Sequence, residues 1–410
     1  MSRSPRSRRR LLAALLALGL VAGACGSDDD GGSATDDTAD KADAAKYSIA
    51  FVGPKTGGDK NLGLNILYGA QLAVEQFNAA NDDIEITLKE FDTQGDPKQA
   101  DGQFATYNAD ASILGLVGPA FSGETEAVLP KLQEAKLPMI SSSATRVSLS
   151  AIVGSANVPK TPEGYSVFHR ALPDDSSQAA GIAKYVVTKY AGKSIFYADD
   201  AQAYSTGLVQ ELQKAAKGKN ADKGRYGFQN KDDTTNIPNA VTAVAGAKPD
   251  IVFYGGYYPL AGRFKKALGD NDATKDIVFI SGDGALDQGY LDGASPNADG
   301  SVIACPCNLA TATSPGKLGA FAKAYTKEFG QDPGTYSSEA FDAANILMDG
   351  IKAGNTTREK LLAYVEGVTT YDGISKKMEF TEEGNVKTTT VYFFEVKDGK
   401  FVPVGDTASL

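Results

Sequence analysis

The chain has 410 residues, a formal net charge of −10 and 42% hydrophobic residues. Its acidity argues against nucleic acid and anionic lipid surfaces as binding partners. Its length exceeds one ordinary hydrophobic core, which predicts two domains. The single histidine, His169, excludes most Ser-His-Asp, Cys-His and histidine-metal sites unless that residue takes part. We therefore expect no metal and no cofactor.

Residues 1–24 have the organisation of a secretory signal peptide. Five arginines lie before the apolar run 11–21, and small residues follow at 22–24. The run is too short to cross a bilayer. Cys25 stands directly after the small residues, and this pattern resembles the lipobox of bacterial lipoproteins. The resemblance implies cleavage before Cys25 and lipid attachment to it, although Ala22 stands where Leu or Val is usual. The alternative is simple cleavage of the leader, with Cys25 an incidental residue.

Residues 25–46 are predicted to form a lipidated cysteine followed by a flexible acidic tether. The stretch contains three consecutive aspartates at 28–30 and few residues that could pack, so we expect it to be solvated. The arginine-rich leader permits either Sec or twin-arginine export. Without residues 1–24 the formal charge becomes −15, because the leader carries five arginines and no acids. The sequence thus predicts an acidic globular body tethered outside the cell membrane.

Strand-length apolar runs alternate with helical periodicity along this body. The predicted strands are 47–53, 84–91, 113–117, 137–140, 194–198, 251–254, 277–280 and 389–396. The predicted helices pass through 67–77, begin at Pro97 and after Gly123, pass through 208–212 and 260–268, and extend over 340–351. This alternation predicts an α/β fold of doubly wound parallel sheets with helices on both faces.

Two loops at the ends of predicted strands are rich in hydroxyl side chains. They are residues 117–123 and 139–145. In open parallel sheets, ligands bind beyond the carboxyl ends of the strands. Backbone N–H groups at helix starts, with Ser and Thr hydroxyls beside them, bind carboxylates. The alternative is that these hydroxyls are ordinary helix N-caps.

Two further strand ends carry candidate ligand contacts. Gly282-Asp283-Gly284 could offer a carboxylate to a cation or be a simple turn. The aromatic residues in 252–258 could wall a ligand or belong to the core.

Several short motifs together resemble the branched-chain amino acid binding proteins. These are the leucine/isoleucine/valine type of substrate-binding lipoproteins that serve ABC importers. The motifs are Phe-Val-Gly-Pro at 51–54, Gly-Ala-Gln-Leu-Ala-Val at 69–74, Phe91-Asp92 with Asp-Pro-Lys-Gln-Ala at 96–100, the loops around Ser122 and Ser143, and Phe-Tyr-Gly-Gly-Tyr at 253–257. The resemblance extends from about Tyr47 to the C-terminus.

The resemblance implies a type I periplasmic-binding-protein fold. Two α/β lobes would be joined by three crossings, near 172–176, 303–309 and 370–375, and would close on the ligand. The N-lobe would comprise 47–172 and 305–371, and the C-lobe 173–304 and 372–410.

The resemblance also assigns ligand-binding roles. By this resemblance, Ser122, Ser143 and Thr145 would bind the ligand's carboxylate. Asp283 would bind its ammonium group, and Tyr204 and Tyr257 would form walls of the site from the second lobe. Leu62 stands at a loop position where leucine binders tend to have Tyr. The resemblance therefore does not define the pocket for the ligand's side chain.

Cys305-Pro306-Cys307 falls at the second implied crossing. Two cysteines are too few for a disulfide scaffold or a zinc site. An oxidising cell surface would permit a disulfide between Cys305 and Cys307 that stiffens the hinge. Two unbonded buried thiols are the alternative.

These observations predict a monomeric, lipid-anchored receptor that captures a zwitterionic amino acid and presents it to the permease subunits of an ABC importer. An amide, urea or aromatic acid is the alternative ligand, and a sensor is an alternative role. A secreted hydrolase is disfavoured because neither Gly-x-Ser-x-Gly nor His-Glu-x-x-His occurs. We therefore expect a binding protein and no enzyme.

Overall fold

The computed structural model describes residues 44–150 and 165–410. The predicted signal peptide, Cys25 and the tether as far as residue 43 lie outside the described residues. The first strand begins at Ala45, two residues before the strand predicted at 47–53.

The first sheet has five strands, all parallel, in the order β2-β1-β3-β4-β5. We call this sheet, with the helices that cover it, the N-lobe. The strands are β1 Ala45–Gly53, β2 Ile84–Asp92, β3 Ile113–Val117, β4 Met139–Ser141 and β5 Phe168–Arg170. Strand β1 pairs with β2 from Ala45 opposite Ile84 to Gly53 opposite Asp92. The central strand β3 is buried along its whole length, as expected for a parallel strand covered on both faces.

The second sheet has seven strands in the order β14-β13-β10-β9-β8-β6-β7, and with its helices forms the C-lobe. The strands are β6 Ile195–Asp199, β7 Asp222–Gly227, β8 Ile251–Gly255, β9 Val278–Ser281, β10 Val302–Cys305, β13 Tyr392–Lys397 and β14 Lys400–Asp406. Strands β13 and β14 run antiparallel at one edge, so this sheet is not wholly parallel as predicted. A separate two-stranded ribbon joins β11 Tyr371–Asp372 to β12 Lys377–Met378.

Helices follow most strands, which confirms the doubly wound α/β fold. They are α1 Lys60–Ala79, α2 Pro97–Ala109, α3 Ser122–Glu134, α4 Asp175–Lys189, α5 Ala203–Ala216, α6 Ile237–Ala247, α7 Tyr258–Gly269, α8 Gln288–Ala294, α9 Gly316–Phe329, α10 Ser337–Lys352 and α11 Arg358–Glu366. Helix α2 shows why these starts were legible in the sequence. Its N-cap Asp96 accepts hydrogen bonds from the N–H groups of Lys98 and Gln99, and Pro97 occupies its first turn.

The eight predicted strands all occur, with ends that differ by at most three residues. Two of the strands that went unpredicted lack a clear pattern. Strand β7 has exposed residues along most of its length, so no alternation of apolar and polar residues marks it. Strand β5 is only three residues long.

The chain passes between the two sheets three times. It leaves the N-lobe after β5 and enters the C-lobe at α4, then returns after β10 to α9 and α10, which lie with α1 in the N-lobe. On the third passage, the N–H of Arg170 donates to the carbonyl of Gly384, and the chain rejoins the C-lobe sheet at Tyr392. The lobe boundaries drawn from the sequence stay predictions.

Candidate functional site

The carboxyl ends of the strands in both sheets lead into one site between the lobes. From the N-lobe, Ser122 begins α3 after β3, and Thr145 follows β4. From the C-lobe, Tyr204 lies in the first turn of α5 after β6, Tyr257 precedes α7 after β8, and Asp283 follows β9. All five residues are buried. The site therefore lies where parallel sheets usually bind ligands.

Hydrogen bonds join the two hydroxyl loops of the N-lobe to each other. The hydroxyl of Ser143 donates to the carbonyl of Ala120, and Ser122 Oγ accepts from the N–H of Arg146 at 3.2 Å. The hydroxyl of Ser143 is thus committed to the backbone, whereas that of Ser122 keeps its proton available. The hydroxyl oxygen of Thr145 is buried, and no hydrogen bond of regular geometry joins it to another described residue.

Asp283 is fully buried and accepts hydrogen bonds from both lobes. Tyr204 Oη, on the C-lobe, donates to its Oδ1 at 2.6 Å. Tyr336 Oη, which lies just before α10 in the N-lobe, donates to its Oδ2 at 2.8 Å. Burial raises the pKa of Asp283, and hydrogen bonds from the side chains of Tyr204, Gln178 and Tyr336 oppose that rise. Each oxygen of Asp283 thus has one tyrosine donor.

Asp175 is a second buried carboxyl group at the start of α4. Neither of its side-chain oxygens accepts a hydrogen bond of regular geometry from the described residues. Burial raises the pKa of Asp175 well above its usual range, and the Asp283 carboxylate adds to the rise. The Thr145 hydroxyl opposes it. The loop after β4, the start of α4 and the loop after β9 thus bring two carboxyl groups and a hydroxyl into one small buried space.

Gln178, one turn after Asp175, adds another acceptor. Its Oε1 is buried without a partner among the described residues, and a Cβ placed on Gly282 would lie 3.1 Å from it. Buried polar groups are normally hydrogen-bonded. The acceptors on α4 therefore form a surface that a hydrogen-bond donor or a cation would satisfy.

Asp200 holds the aromatic wall of the site in place. Its Oδ2 accepts from the N–H of Tyr257 at 3.1 Å and from Tyr254 Oη at 3.3 Å. Burial raises the pKa of Asp200 to about 6. The ring of Tyr257 lies 5.3 Å from that of Tyr204 and 4.5 Å from that of Phe121 in the N-lobe, between ring centroids. Aromatic side chains thus connect the lobes beside the polar cluster.

Other contacts bridge the lobes around the site. Asn61 Nδ2 donates to Asp287 Oδ1 at 2.8 Å, and Tyr258 Oη donates to the carbonyl of Gly58 at 2.6 Å. Arg146 donates to the carbonyl of Ala203. The lobes are therefore in contact on several sides of the site.

The structure brings Thr145, Tyr204, Tyr257 and Asp283 together at the lobe junction. Ser122 and Ser143 lie in the adjoining hydroxyl loops of the N-lobe, and the roles of all six toward a ligand are a proposal. Sequence reasoning missed Asp175, Asp200 and Tyr336. Asp175 is the first residue of α4 and looks like an ordinary first-turn acid. Tyr336 has a φ of 73°, and no residue pattern indicates that its hydroxyl would meet a carboxylate in the other lobe.

Leu62 is not in a loop. It lies in the first turn of α1 and is fully buried in the core. Cys305 and Cys307 are joined as a disulfide in the structure, the arrangement that the hinge hypothesis requires.

Two kinds of site are absent from residues 44–150 and 165–410. No group of three or more histidine, cysteine, aspartate or glutamate side chains there could hold a metal ion. No helix within those ranges has the length and apolarity to cross a membrane.

Curated proteins similar to this chain are binding proteins by name. The Leu/Ile/Val-binding protein BraC3 of Rhizobium johnstonii is 26% identical over 363 residues, covering 87% of this chain and 94% of the relative. The leucine-, isoleucine-, valine-, threonine- and alanine-binding protein of Pseudomonas aeruginosa is 26% identical over 348 residues, covering 84% of this chain and 88% of the relative.

Solved structures share the fold. LivJ of Streptococcus pneumoniae, a branched-chain amino acid transporter substrate-binding protein in complex with isoleucine, has a TM-score of 0.75 at 24% identity, covering 87% of this chain and 99% of that one. A solute-binding protein from R. palustris in complex with benzoate has a TM-score of 0.74 at 19% identity, covering 88% and 96%. A family model described as a periplasmic binding protein matches residues 46–400. Because that match spans most of the chain, this protein belongs to the periplasmic binding protein family.

Proposed function

We propose that this protein is the extracytoplasmic receptor of an ABC importer and captures a branched-chain or related amino acid between its lobes. The names of the similar curated proteins support this ligand class, and the shared fold supports capture between two lobes. The observation that carries the proposal is the buried polar cluster at the lobe junction. It combines hydroxyl groups on the N-lobe with two carboxyl groups, Asp175 and Asp283, that have no cationic side chain hydrogen-bonded to them among the described residues.

A zwitterionic ligand matches this cluster at both ends. Its carboxylate would bind the hydroxyls of Ser122 and Thr145 near the N-terminus of α3, where backbone N–H groups favour an anion. Ser143 would hold the adjoining loop through its bond to Ala120. The ligand's ammonium would bind Asp175, whose oxygens lack regular donors, with Asp283 beside it.

Lobe closure follows from this division of contacts. The carboxylate contacts lie on the N-lobe, whereas Asp283, Tyr204 and Tyr257 lie on the C-lobe. Only the closed form makes all the contacts, so the ligand shifts the population toward that form. The closed form would then be the one that the permease subunits recognise.

The cellular setting of the receptor is part of the proposal. Cleavage before Cys25 and lipid attachment would anchor a monomeric body to the outer face of the cell membrane. The similar curated proteins are named as binding proteins, which supports a role in binding without catalysis. The role as a sensor differs only in the partner that reads the closed form.

An aromatic acid is the second candidate ligand, because one protein of the same fold was solved with benzoate. The buried carboxyl groups argue against it here. An acid without an ammonium would leave Asp175 and Asp283 unpaired, and a buried charge without a partner is costly. An amide or urea would satisfy the acceptors by hydrogen bonds only.

Calorimetry of the soluble body from Asp43 onward tests these alternatives. The protein is refolded to remove bound ligand and titrated with leucine, isoleucine, valine, phenylalanine, glutamate, benzoate and acetamide. Heat from the aliphatic amino acids alone is the expected result. Heat from benzoate or acetamide alone would replace the ligand class, and no heat with any compound would contradict the proposed site.

A further inference from the structure

A lysine of the C-lobe enters an acidic pocket of the N-lobe, next to the aromatic contact between the lobes. Lys231 lies in the loop between β7 and α6 and forms an ion pair with Asp59, at the start of α1. Its Nζ also donates to the carbonyl of Gln94 at 3.2 Å, in the loop after β2. We call the site that Asp59 and the carbonyl of Gln94 form for this lysine the acidic socket.

The pair is buried on both sides. The side chain of Asp59 is 2% exposed and that of Lys231 is 16% exposed. Burial raises the pKa of Asp59, and the Lys231 ammonium opposes that rise. Burial works to lower the pKa of Lys231, but the Asp59 carboxylate raises it overall. Each member of the pair therefore favours the charged form of the other.

Glu124 is a second buried carboxyl group near the acidic socket. It is fully buried, and its Oε2 accepts from the N–H of Phe121 at 2.7 Å. Its Oε1 accepts from the hydroxyl of Thr93. The Lys231 ammonium works to lower the pKa of Glu124 and the Asp59 carboxylate to raise it, so the pair and Glu124 influence each other electrostatically.

The N-lobe leaves space for the lysine at Gly95. A Cβ built on Gly95 would lie 2.9 Å from the ring of Phe121 and 3.2 Å from Nζ of Lys231. The residue also has a φ of 67°, which favours glycine. The socket is therefore shaped around both the ammonium and the ring that contacts Tyr257.

We propose that Lys231 is a positioning residue that holds the lobes closed over the ligand by docking in the acidic socket. This inference rests on the proposed function for its biological meaning, but lobe closure itself can be measured without a ligand. When the lobes separate, water solvates both Lys231 and Asp59, so the loss of one does not leave the other buried without a partner. When they close, each would be buried unpaired without its partner, so removing one destabilises the closed form selectively.

The acidic socket also predicts which substitutions should weaken ligand binding most. Lys231→Met keeps much of the side-chain length and removes the charge, which leaves Asp59 buried alone in the closed form. Asp59→Asn should have a smaller effect, because Lys231 is more exposed than Asp59 and still donates to the carbonyl of Gln94. Lys231→Arg keeps the positive charge and should retain most of the affinity.

The experiment compares wild type, K231M, D59N, K231R and the control K223M by calorimetry with leucine. Lys223 is exposed on β7 of the same lobe, so K223M removes a lysine of equal charge away from the socket. We expect the leucine Kd of K231M to rise at least about tenfold, that of D59N to rise less, and those of K231R and K223M to stay near wild type. An unchanged Kd in K231M would overturn the proposal. Circular dichroism and Tm confirm that each variant folds.

Small-angle scattering of the refolded, ligand-stripped proteins separates the two proposals. If wild type gives no heat with leucine, the proposed ligand is wrong, and the radius of gyration decides the role of Lys231. A larger radius for K231M than for wild type and K223M supports docking in the socket. Equal radii in that case would overturn it.

Discussion

Buried carboxyl groups dominate the chemistry of individual residues between the lobes. Asp175, Asp283, Asp200 and Glu124 are all at least nine-tenths buried, and burial raises the pKa of each. A buried carboxyl group whose charged form lacks a partner destabilises the fold. Its retention at a lobe junction is typical of a binding site.

Asp175→Asn is predicted to weaken amino-acid binding while it stabilises the ligand-free protein. The change keeps the shape of the side chain and removes the charge that would bind the ammonium. We expect the leucine Kd to rise at least about thirtyfold and the Tm of the ligand-free protein to increase. Calorimetry and thermal unfolding measure the two effects, and an unchanged Kd would remove Asp175 from the site.

The raised pKa of Asp175 predicts how its effect on the stability of the protein changes with pH. Because its pKa is raised in the folded protein, this group's contribution to stability is fully present below its usual pKa and is lost as the pH rises through the raised value. Asp175→Asn should therefore stabilise the ligand-free protein more at pH 7 than at pH 4. An equal effect at both pH values would contradict this interpretation.

Glu124→Gln is predicted to stabilise the protein in a pH-dependent way. Burial raises the pKa of Glu124 to about 8, with the hydrogen bonds from Thr93 and Phe121 opposing. Stability from this group is therefore present below the ordinary pKa of 4.5 and is lost as the pH rises to about 8. Glutamine can accept from Phe121 and donate to Thr93, so it replaces the neutral acid.

Urea unfolding at pH 4 and pH 8 measures this prediction. We expect E124Q to raise the free energy of unfolding by about 1–3 kcal/mol at pH 8 and to change it little at pH 4. A loss of stability at pH 8 would mean that the ionised carboxylate, held by Lys231, stabilises the fold.

Among the secondary-structure elements, α1 joins an early and a late segment of the chain within the N-lobe. Helix α1 packs against α10, which lies more than 250 residues later. The two helices approach closely at Gly69, because a Cβ there would overlap the carbonyl oxygen of Ser337. The Gly69-Ala70 motif is therefore a packing requirement of the helix pair.

Gly69→Ala is predicted to destabilise the protein by about 1–3 kcal/mol, because the added methyl group must displace the backbone of α10. Gly102→Ala, in α2, is the matched control, since nothing lies within 4 Å of a Cβ at that position. We expect the control to stabilise the protein by about 0.5–1 kcal/mol through helix propensity. Urea unfolding of both variants measures the difference, and effects of the same sign would contradict the close approach.

At the scale of the whole molecule, the passages between the lobes set how the lobes can move. Cys305 ends β10 on the C-lobe side, and Cys307 follows where the chain returns toward α9. Both side chains are buried. A bond between them would restrict the backbone at this passage and leave the other two passages to bend.

The disulfide is predicted to be present in the exported protein. Alkylation of the denatured, unreduced mature protein should leave its mass unchanged, and alkylation after reduction should add two groups to Cys305 and Cys307. Two alkyl groups before reduction would show that both thiols are unbonded and would end the hinge hypothesis.

Much of the fold was readable from the sequence because local patterns coincided with burial. The apolar run 113–117 is strand β3, and Asp96-Pro97 marks the start of α2. Strand β7 and the edge hairpin β13–β14 were missed in whole or in part. Exposed edge strands are stabilised by backbone pairing with a neighbour, which leaves little trace in the side-chain pattern.

The residues of the candidate site likewise divide into those that were predicted from the sequence and those that were not. The hydroxyl loops and Asp283 were predicted because they end strands, and resemblance to a family placed Tyr204 and Tyr257 beside them. Asp175 and Tyr336 were not predicted, since each reaches the site from a separate segment of the chain. Their proximity to Asp283 depends on the packing of α4 and on the contact between the lobes.

Local patterns of residues were enough to establish the α/β class, the succession of strands and helices, and the loops that end at the site, because periodicity and turn residues act locally. Three-dimensional packing was needed to show which distant carboxyl groups share the buried site and that Lys231 meets Asp59 across the lobes. The energy of a buried charge depends on what surrounds it in space. Residues far apart in the chain supply those surroundings, so no local pattern records them.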